Sequence, residues 1–271
     1  AFNRNPMIQV APESLSIPAG GNDIFTLTLS ATQSGVVSDS LTLTTNDPFL
    51  QSLDIPMSAI VRALELFPVT WHVDAEAETD GDGSEGLPFN LIQVAIDSSV
   101  HEDTVLVYPG TYFENINFNG KNIVIHSFDG ADATIIDGNE QGSVVTFEND
   151  ELTSAILRGF TLTNGGDVGV GGGIFCKNAS PSLEQLTITG NDANEKGGGL
   201  YLENSASNLL FLTINANSSE DGCGLYLKNA DIFMKRSVIS GNRSSNIYGG
   251  EGGGIYSWGS NPEMVSVTIT G

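Results

Sequence analysis

Four glycine-rich segments in the second half of the chain repeat one pattern: GGGIFCKN at 171–178, GGGLYLEN at 197–204, GCGLYLKN at 222–229 and GGGIYSWG at 252–259. The segments begin 26, 25 and 30 residues apart. A repeat of this length is typical of solenoid proteins, in which each unit stacks on the preceding one. The pattern therefore predicts a stack of similar coils rather than a single globular core.

Short β-branched runs separate the glycine-rich segments and end in similar ways: TLTN at Asn164, TITGN at Asn191, TINAN at Asn217 and VISGN at Asn242. Such runs favour strands, and residues 105–271 contain no convincing helical periodicity. Strands repeated without intervening helices predict an all-β parallel β-helix, in which each coil hydrogen-bonds to the next at a spacing of about 4.8 Å.

Side-chain alternation along these strands predicts which residues face the core. The aligned charges Lys177, Glu203 and Lys228 must face water, where they form a ladder of alternating sign. The alternate positions then face inward: Ile174, Leu200, Leu225 and Ile255, and Cys176, Leu202, Leu227 and Ser257. Two sets of aligned asparagines predict stacked amide ladders: Asn178, Asn204 and Asn229, and Asn191, Asn217 and Asn242.

The segments WHVDAEAETDGDGSEGLPFNLIQVAI (71–96) and TVLVYPGTYFENINFNGKNIVIHS (104–127) precede these repeats. Together with the repeats, they resemble right-handed parallel β-helix proteins of the pectate-lyase-like superfamily. The resemblance implies an acidic loop, a capping helix and the first coils. It leaves function open, because that superfamily includes lyases, hydrolases, isomerases, adhesins and passive stalks. Phe89, Ile92, Ala95 and Ile96 share a helical face that can cover the open end of the core.

The N-terminal region has a different pattern, with alternating runs DIFTLTLS (23–30), DSLTLTT (39–45) and LDIPMSAIV (53–61) separated by turn residues. These runs predict an antiparallel β-sandwich. They resemble the second half of immunoglobulin-like domains of the ASH and choice-of-anchor-D type. We expect a partial immunoglobulin-like module at 1–68 and a β-helix at 69–271 that is truncated at its C-terminal end, as parts of a longer protein.

The chain is strongly acidic, with 33 Asp and Glu against 10 Lys and Arg and a formal net charge of −23. This charge repels nucleic acids and anionic membranes. We therefore expect no nucleic-acid partner, no membrane insertion, and a secreted or surface-anchored bacterial protein. The alternative is that acidity only keeps an elongated β-sheet protein soluble.

An acidic, glycine-containing loop lies near the start of the predicted β-helix, with the candidate metal ligands Asp74, Glu76, Glu78, Asp80 and Asp82. Carboxylates on a flexible loop suit calcium, the one cofactor that the sequence suggests. However, Phe89 occupies the position at which an EF-hand loop carries its bidentate glutamate. The alternative is an exposed acidic linker.

An aromatic residue follows the first inward position in each glycine-rich segment: Phe175, Tyr201, Tyr226 and Tyr256, with Trp258 nearby. Their alternation predicts an exposed outward stripe that binds a polysaccharide or another cell-surface protein. The alternative is that the aromatic residues only stiffen stacked strands. The turn before each glycine-rich segment varies between six, five, four and nine residues, which marks a potential binding face.

The sequence predicts no catalytic residue set. His72, His101 and His126 all precede the regular repeats, and isolated bases such as Arg158, Lys235, Arg236 and Arg243 are usually solvated. The interpretation is a non-enzymatic surface module for adhesion, glycan binding or surface structure. One alternative is a lyase or glycoside hydrolase acting on an extracellular polysaccharide. Another is an architectural stalk or a self-assembling filament subunit.

Overall fold

The computed structural model describes residues 68–246 and 250–271, together with the backbone of four strands closer to the N-terminus. The chain divides into two compact units, Ala1–Phe67 and Pro68–Gly271. The described part contains no helix with the length and hydrophobicity needed to span a bilayer.

Two antiparallel strand pairs are described in the first unit. Ile8–Ala11 pairs with Thr26–Leu29, and Gly35–Thr44 pairs with Ser52–Val61. The other residues of this unit and all of its side chains lie outside the described part. The immunoglobulin-like sandwich therefore stays a prediction.

The second unit is a parallel β-helix, as the sequence predicts, and its main strands form three parallel sheets. The eight-stranded sheet contains Thr70–Val73, Thr104–Val107, Val124–Ser127, Ile156–Arg158, Ser182–Glu184, Asn208–Leu210, Phe233–Lys235 and Glu263–Val265. The seven-stranded sheet contains Gly110–Phe113, Thr134–Asp137, Thr161–Thr163, Thr187–Thr189, Thr213–Asn215, Val238–Ser240 and Thr268–Thr270. The six-stranded sheet contains Ile116–Asn117, Val145–Phe147, Ile174–Lys177, Leu200–Glu203, Leu225–Lys228 and Ile255–Trp258. A further short parallel pair joins Ser218–Ser219 to Arg243–Ser244.

The predicted alternation of inward and outward residues is confirmed in the six-stranded sheet. The inward side chains of Ile174, Leu200 and Leu225 are fully buried in one continuous core. Lys177 is exposed, and Glu203 and Lys228 are partly exposed. In the last strand Ile255 is only partly buried and Ser257 is exposed, where no further strand of the described residues pairs with the sheet.

The predicted short helix is present at Ile92–Ser98, and both of its ends are held by side chains from the coils. Glu114 accepts hydrogen bonds from the first two helical N–H groups at 2.8 and 2.9 Å. Lys121 donates to the carbonyl oxygens of Ile96 and Asp97 at 2.6 and 2.8 Å. The two charges satisfy unpaired backbone groups and oppose the helix dipole. The apolar face of the helix is fully buried: Ile92, Ala95 and Ile96.

The chain leaves the six-stranded sheet through a single left-handed residue in successive coils. Asn178, Asn204 and Asn229 have φ values of 54°, 52° and 50°, and Gly259 aligns with them at 62°. Asparagine and glycine tolerate this conformation better than other residues. The Asn204 amide also donates to the Asn178 amide oxygen at 2.8 Å, so this predicted ladder is confirmed for one pair.

The second predicted asparagine ladder is confirmed and buried. The Nδ2 of Asn191 donates to the Oδ1 of Asn217, and the Nδ2 of Asn217 donates to the Oδ1 of Asn242, both at 3.0 Å. The same oxygens also accept the backbone N–H groups of Asn191 and Asn217. Asn191 and Asn217 are each 1% exposed. The ladder therefore satisfies polar groups that would be costly to bury unpaired.

Asn217→Ala should destabilise the fold by about 2–3 kcal/mol, because two N–H groups of Asn191 lose their acceptor inside the protein. Urea unfolding measures this loss. The matched control is Asn204→Gly, which removes an exposed ladder amide but keeps a residue suited to φ 52°, and it should change stability by about 0.5 kcal/mol or less. Equal effects of the two substitutions would contradict the assigned role of the buried ladder.

Candidate functional site

The aromatic column consists of Phe175, Tyr201, Tyr226 and Tyr256 on the outer face of the six-stranded sheet. Parallel pairing places these residues directly opposite one another in successive coils. The three ring-to-ring distances between neighbours are 6.0, 5.4 and 4.8 Å, with interplanar angles of 9°, 16° and 17°. The prediction of an outward, stacked aromatic stripe is thus correct in register.

The prediction that the whole stripe is exposed is wrong, because Tyr201 and Tyr226 are only 5% and 6% exposed. Each ring is sandwiched between two neighbours, and Tyr226 is also covered by a residue of the turn before the second glycine-rich segment. The Lys196 ammonium lies 5.5 Å from the centroid of the Tyr226 ring. A Cβ added at Gly222 would lie 2.9 Å from the Cβ of Tyr226. Burial of these two tyrosines therefore comes from their neighbours and the turns, since the core lies on the opposite face.

The accessible part of this surface lies at the flanks of the column. Phe175 and Tyr256 are partly exposed, and Trp258 is 55% exposed. Trp258 is on the same outer face as Tyr256, two residues further along one strand, and it pairs in register with Lys228. The accessible residues combine aromatic rings with hydrogen-bonding charged groups, a combination suited to amphipathic ligands.

A charged network connects the column to the lysine–glutamate ladder. The Tyr201 hydroxyl donates to Glu203 at 2.9 Å, and Lys228 donates to the other Glu203 oxygen at 2.8 Å. Lys177 lies 3.7 Å from the same carboxylate. The hydrogen bond from Lys228 is the main cause that lowers the pKa of Glu203. Burial and then the Glu203 carboxylate raise the pKa of the Tyr201 phenol, which keeps Tyr201 a neutral donor.

Glu203→Gln should remove part of the acid sensitivity of the fold. Because the folded-state pKa of Glu203 is lowered, its stabilising contribution is present above the unfolded pKa and is lost as the pH falls towards the folded value. The wild type should therefore lose about 1.5 kcal/mol more stability than Glu203→Gln between neutral and strongly acidic pH. Urea unfolding at several pH values checks this. The control Glu184→Gln disrupts a pair with the half-exposed Arg158 and should show a smaller difference.

The acidic loop is an open turn region rather than a set of converging ligands. Asp74, Glu76, Glu78 and Asp80 border a depression of about 280 Å³. The carboxylate of Asp74 accepts the backbone N–H of Glu76 at 3.0 Å, and Asp82 accepts that of Ser84 at the same distance. Within the described residues, no three His, Cys, Asp or Glu side chains form a group that could hold a metal ion. Calcium binding stays a prediction that would require the loop to close.

The calcium prediction has a direct thermal test. Calcium at 100 times its dissociation constant would stabilise the folded state by about 2.7 kcal/mol. The protein with calcium should then melt at a higher temperature than the protein in EDTA. Asp74→Asn should reduce the difference. An unchanged melting temperature in millimolar calcium would instead support the acidic-linker interpretation.

The residues His72, His126, Arg158 and Lys235 occupy aligned positions in strands of the eight-stranded sheet, whereas His101 lies outside the strands. His72 contacts the Tyr108 hydroxyl at 3.1 Å, and His101 accepts the backbone N–H of Asn122 at 3.1 Å. His126 is aligned with Arg158, which forms a 2.8 Å ion pair with Glu184. The buried Cys176 and Cys223 are free, and burial raises the pKa of the Cys176 thiol to about 12. This thiol is therefore unsuited to nucleophilic chemistry.

The turn that covers Tyr226 could not be identified from the alternation pattern. Lys196 lies in one of the turns whose lengths vary, and that variation is the available sequence signal for this face. The lysine connects adjacent coils through bridges to Val170 and Asp221. It therefore contributes both coil-to-coil pairing and a charged contact with the aromatic column.

Comparison with known proteins finds similarity to solved structures of pectin methylesterases. One, in complex with hexasaccharide VII, matches with 12% identity and a TM-score of 0.41, covering 62% of this chain and 65% of its own. A mutant in complex with hexasaccharide IV matches with 9% identity and a TM-score of 0.45, covering 73% and 65% respectively. PemA from Erwinia chrysanthemi matches with 10% identity and a TM-score of 0.37, covering 65% and 66%. No protein-family model and no curated protein matches the chain.

The matched region spans slightly less than two thirds of the first two pectin methylesterase chains. With TM-scores below 0.5 and identities of 9–12%, this likeness carries no conclusion about the activity of the present chain. The functional assignment must therefore come from the surface of this chain.

Proposed function

We propose that this chain is a non-enzymatic, secreted or cell-surface module that binds polysaccharide through the outer face of the six-stranded sheet. The observation that carries the proposal is the register of the outer face, where Tyr256 continues the aromatic column and Trp258 continues the ladder of hydrogen-bonding charges. The C–H faces of sugar rings can stack on such aromatic side chains, while their hydroxyls hydrogen-bond to neighbouring polar groups. The net charge of −23 is consistent with an extracellular location and disfavours nucleic-acid partners.

The buried tyrosines have a supporting role in this proposal. Tyr201 and Tyr226 stack between Phe175 and Tyr256 and fix the orientation of these more accessible rings. Tyr201 also holds Glu203 through its hydroxyl. A rigid, preorganised surface loses less conformational entropy when a ligand binds. Ligand contact is thus assigned to Phe175, Tyr256 and Trp258.

Trp258→Ala should weaken polysaccharide binding by about 1 kcal/mol or more without lowering the melting temperature, because its side chain is exposed. Tyr201→Ala should instead lower the melting temperature, since it removes a buried, stacked ring. A glycan array identifies a ligand, and calorimetry measures the variants. Leu87→Ala, which removes another exposed apolar side chain, is the control.

A glycan array without hits would contradict the proposal, as would unchanged affinity in Trp258→Ala. Turnover of a polysaccharide by the purified protein would favour the lyase or hydrolase alternative. Concentration-dependent assembly that buries Trp258 would favour the filament alternative. In each case the melting temperatures establish that the variants are folded.

A further inference from the structure

A groove lies at the corner between the eight-stranded and seven-stranded sheets, away from the aromatic column. Its volume is about 330 Å³. The loop 128–132 forms one wall and is fixed by a 2.8 Å hydrogen bond from Thr161 to the carbonyl of Ala131. Gly159 lies beneath the loop, where the Ser127 hydroxyl donates to its carbonyl oxygen and accepts the N–H of Gly130, so a side chain at position 159 would clash with Ser127. The groove extends across the following coils to Phe211.

The polar side chains that line this groove are available to a ligand. Asp129, Asp132 and Gln185 are exposed and border the cavity, together with Thr187 and Thr213. Within residues 68–246, no hydrogen bond or ion pair occupies the side chains of Asp129, Asp132 or Gln185. The groove therefore offers carboxylate acceptors, an amide and hydroxyl groups that can bind a polyhydroxylated molecule.

Phe211 provides an apolar platform at the far end of the groove. The ring is 46% exposed, and the Arg236 guanidinium lies 5.7 Å from its centroid on the adjacent coil. An aromatic side chain beside free hydrogen-bonding groups can stack on the apolar face of a sugar ring. Coils repeat at about 4.8 Å, which is close to the length of one sugar residue in an extended chain.

The backbone at Phe211 is unfavourable for a phenylalanine. Gly159, Gln185, Phe211 and Arg236 align from coil to coil, and all have left-handed φ values, with 81° at Gly159 and 59° at Phe211. Glycine has no steric penalty in this conformation, whereas a bulky residue does. A phenylalanine in this column therefore has a cost that its exposed ring does not recover through core packing.

We propose that this groove is a second binding site, specific for an uncharged polysaccharide. Its two free carboxylates can accept hydrogen bonds from hydroxyl groups but would repel the carboxylates of a uronic-acid polymer. The high net negative charge of the chain also repels a uronic-acid polymer. The proposal is independent of the Trp258 surface, because the two sites share no residue.

The test is calorimetric titration with cellohexaose, xylohexaose, mannohexaose and hexagalacturonate, in EDTA and at two salt concentrations. We expect at least one neutral hexasaccharide to bind at least tenfold more tightly than hexagalacturonate, with little dependence on salt. Asp129→Asn combined with Asp132→Asn should reduce this preference. Binding that disappears in EDTA would show that a bound cation is required and would overturn the proposal.

Phe211→Gly separates a binding role from a structural one. The substitution removes the platform and relieves the left-handed backbone, so affinity should fall at least tenfold while the melting temperature stays the same or rises. Phe113→Ala removes another exposed ring, 69% accessible, outside the groove, and should leave binding unchanged. The proposal fails if no neutral hexasaccharide binds or if Phe211→Gly retains wild-type affinity. Trp258→Ala in the same titrations shows which surface is responsible for any binding observed.

Discussion

Coil-to-coil pairing in strict register is the constraint on which the structure depends. Each parallel strand pairs with the equivalent strand of the next coil, so aligned residues share a backbone conformation and a side-chain direction. A side chain must therefore fit within its own coil and also pack against the equivalent side chains of the neighbouring coils. Hydrophobic residues then form one continuous core, and charges and amides form ladders. At the corner after the six-stranded sheet the aligned left-handed residues are three asparagines and a glycine, which tolerate this conformation better than other residues.

The buried asparagine ladder shows how coil-to-coil stacking allows polar side chains to be buried. An isolated buried amide would need several unrelated partners. In a stack, the next copy supplies both an acceptor for the amide and an acceptor for the backbone N–H, as Asn217 does for Asn191. The hydrogen-bonding groups of each ladder asparagine are thus satisfied by the equivalent asparagine of the next coil. Functional side chains, in contrast, need exposure and must lie where no turn or neighbouring coil covers them.

The sequence was sufficient to predict the features that repeat. The coil spacing, the inward positions of Leu200 and Leu225 and the asparagine ladders follow from period and alternation. The short helix is instead implied by the resemblance of residues 71–96 to other parallel β-helix proteins. Exposure of the aromatic column could not be predicted in this way. Alternation distinguishes the two faces of a sheet, but burial of Tyr226 also depends on the turn that carries Lys196. These turns differ in length and have no common pattern.

The candidate ligand-binding features accordingly lie where the repeat is interrupted. The acidic loop precedes the regular coils, and Asp74 and Asp82 satisfy local N–H groups there, which composition alone does not reveal. The loop 128–132 adds a wall beside the corner formed by Gly159 and its aligned residues. Phe211 occupies the same corner two coils later, where the left-handed backbone favours a smaller residue. Stacking determines the sequence wherever neighbouring side chains must match. At this corner Gly159, Gln185, Phe211 and Arg236 share only a left-handed backbone, so their side chains differ. Of these four residues, Phe211 is the one that places an exposed aromatic ring at the groove.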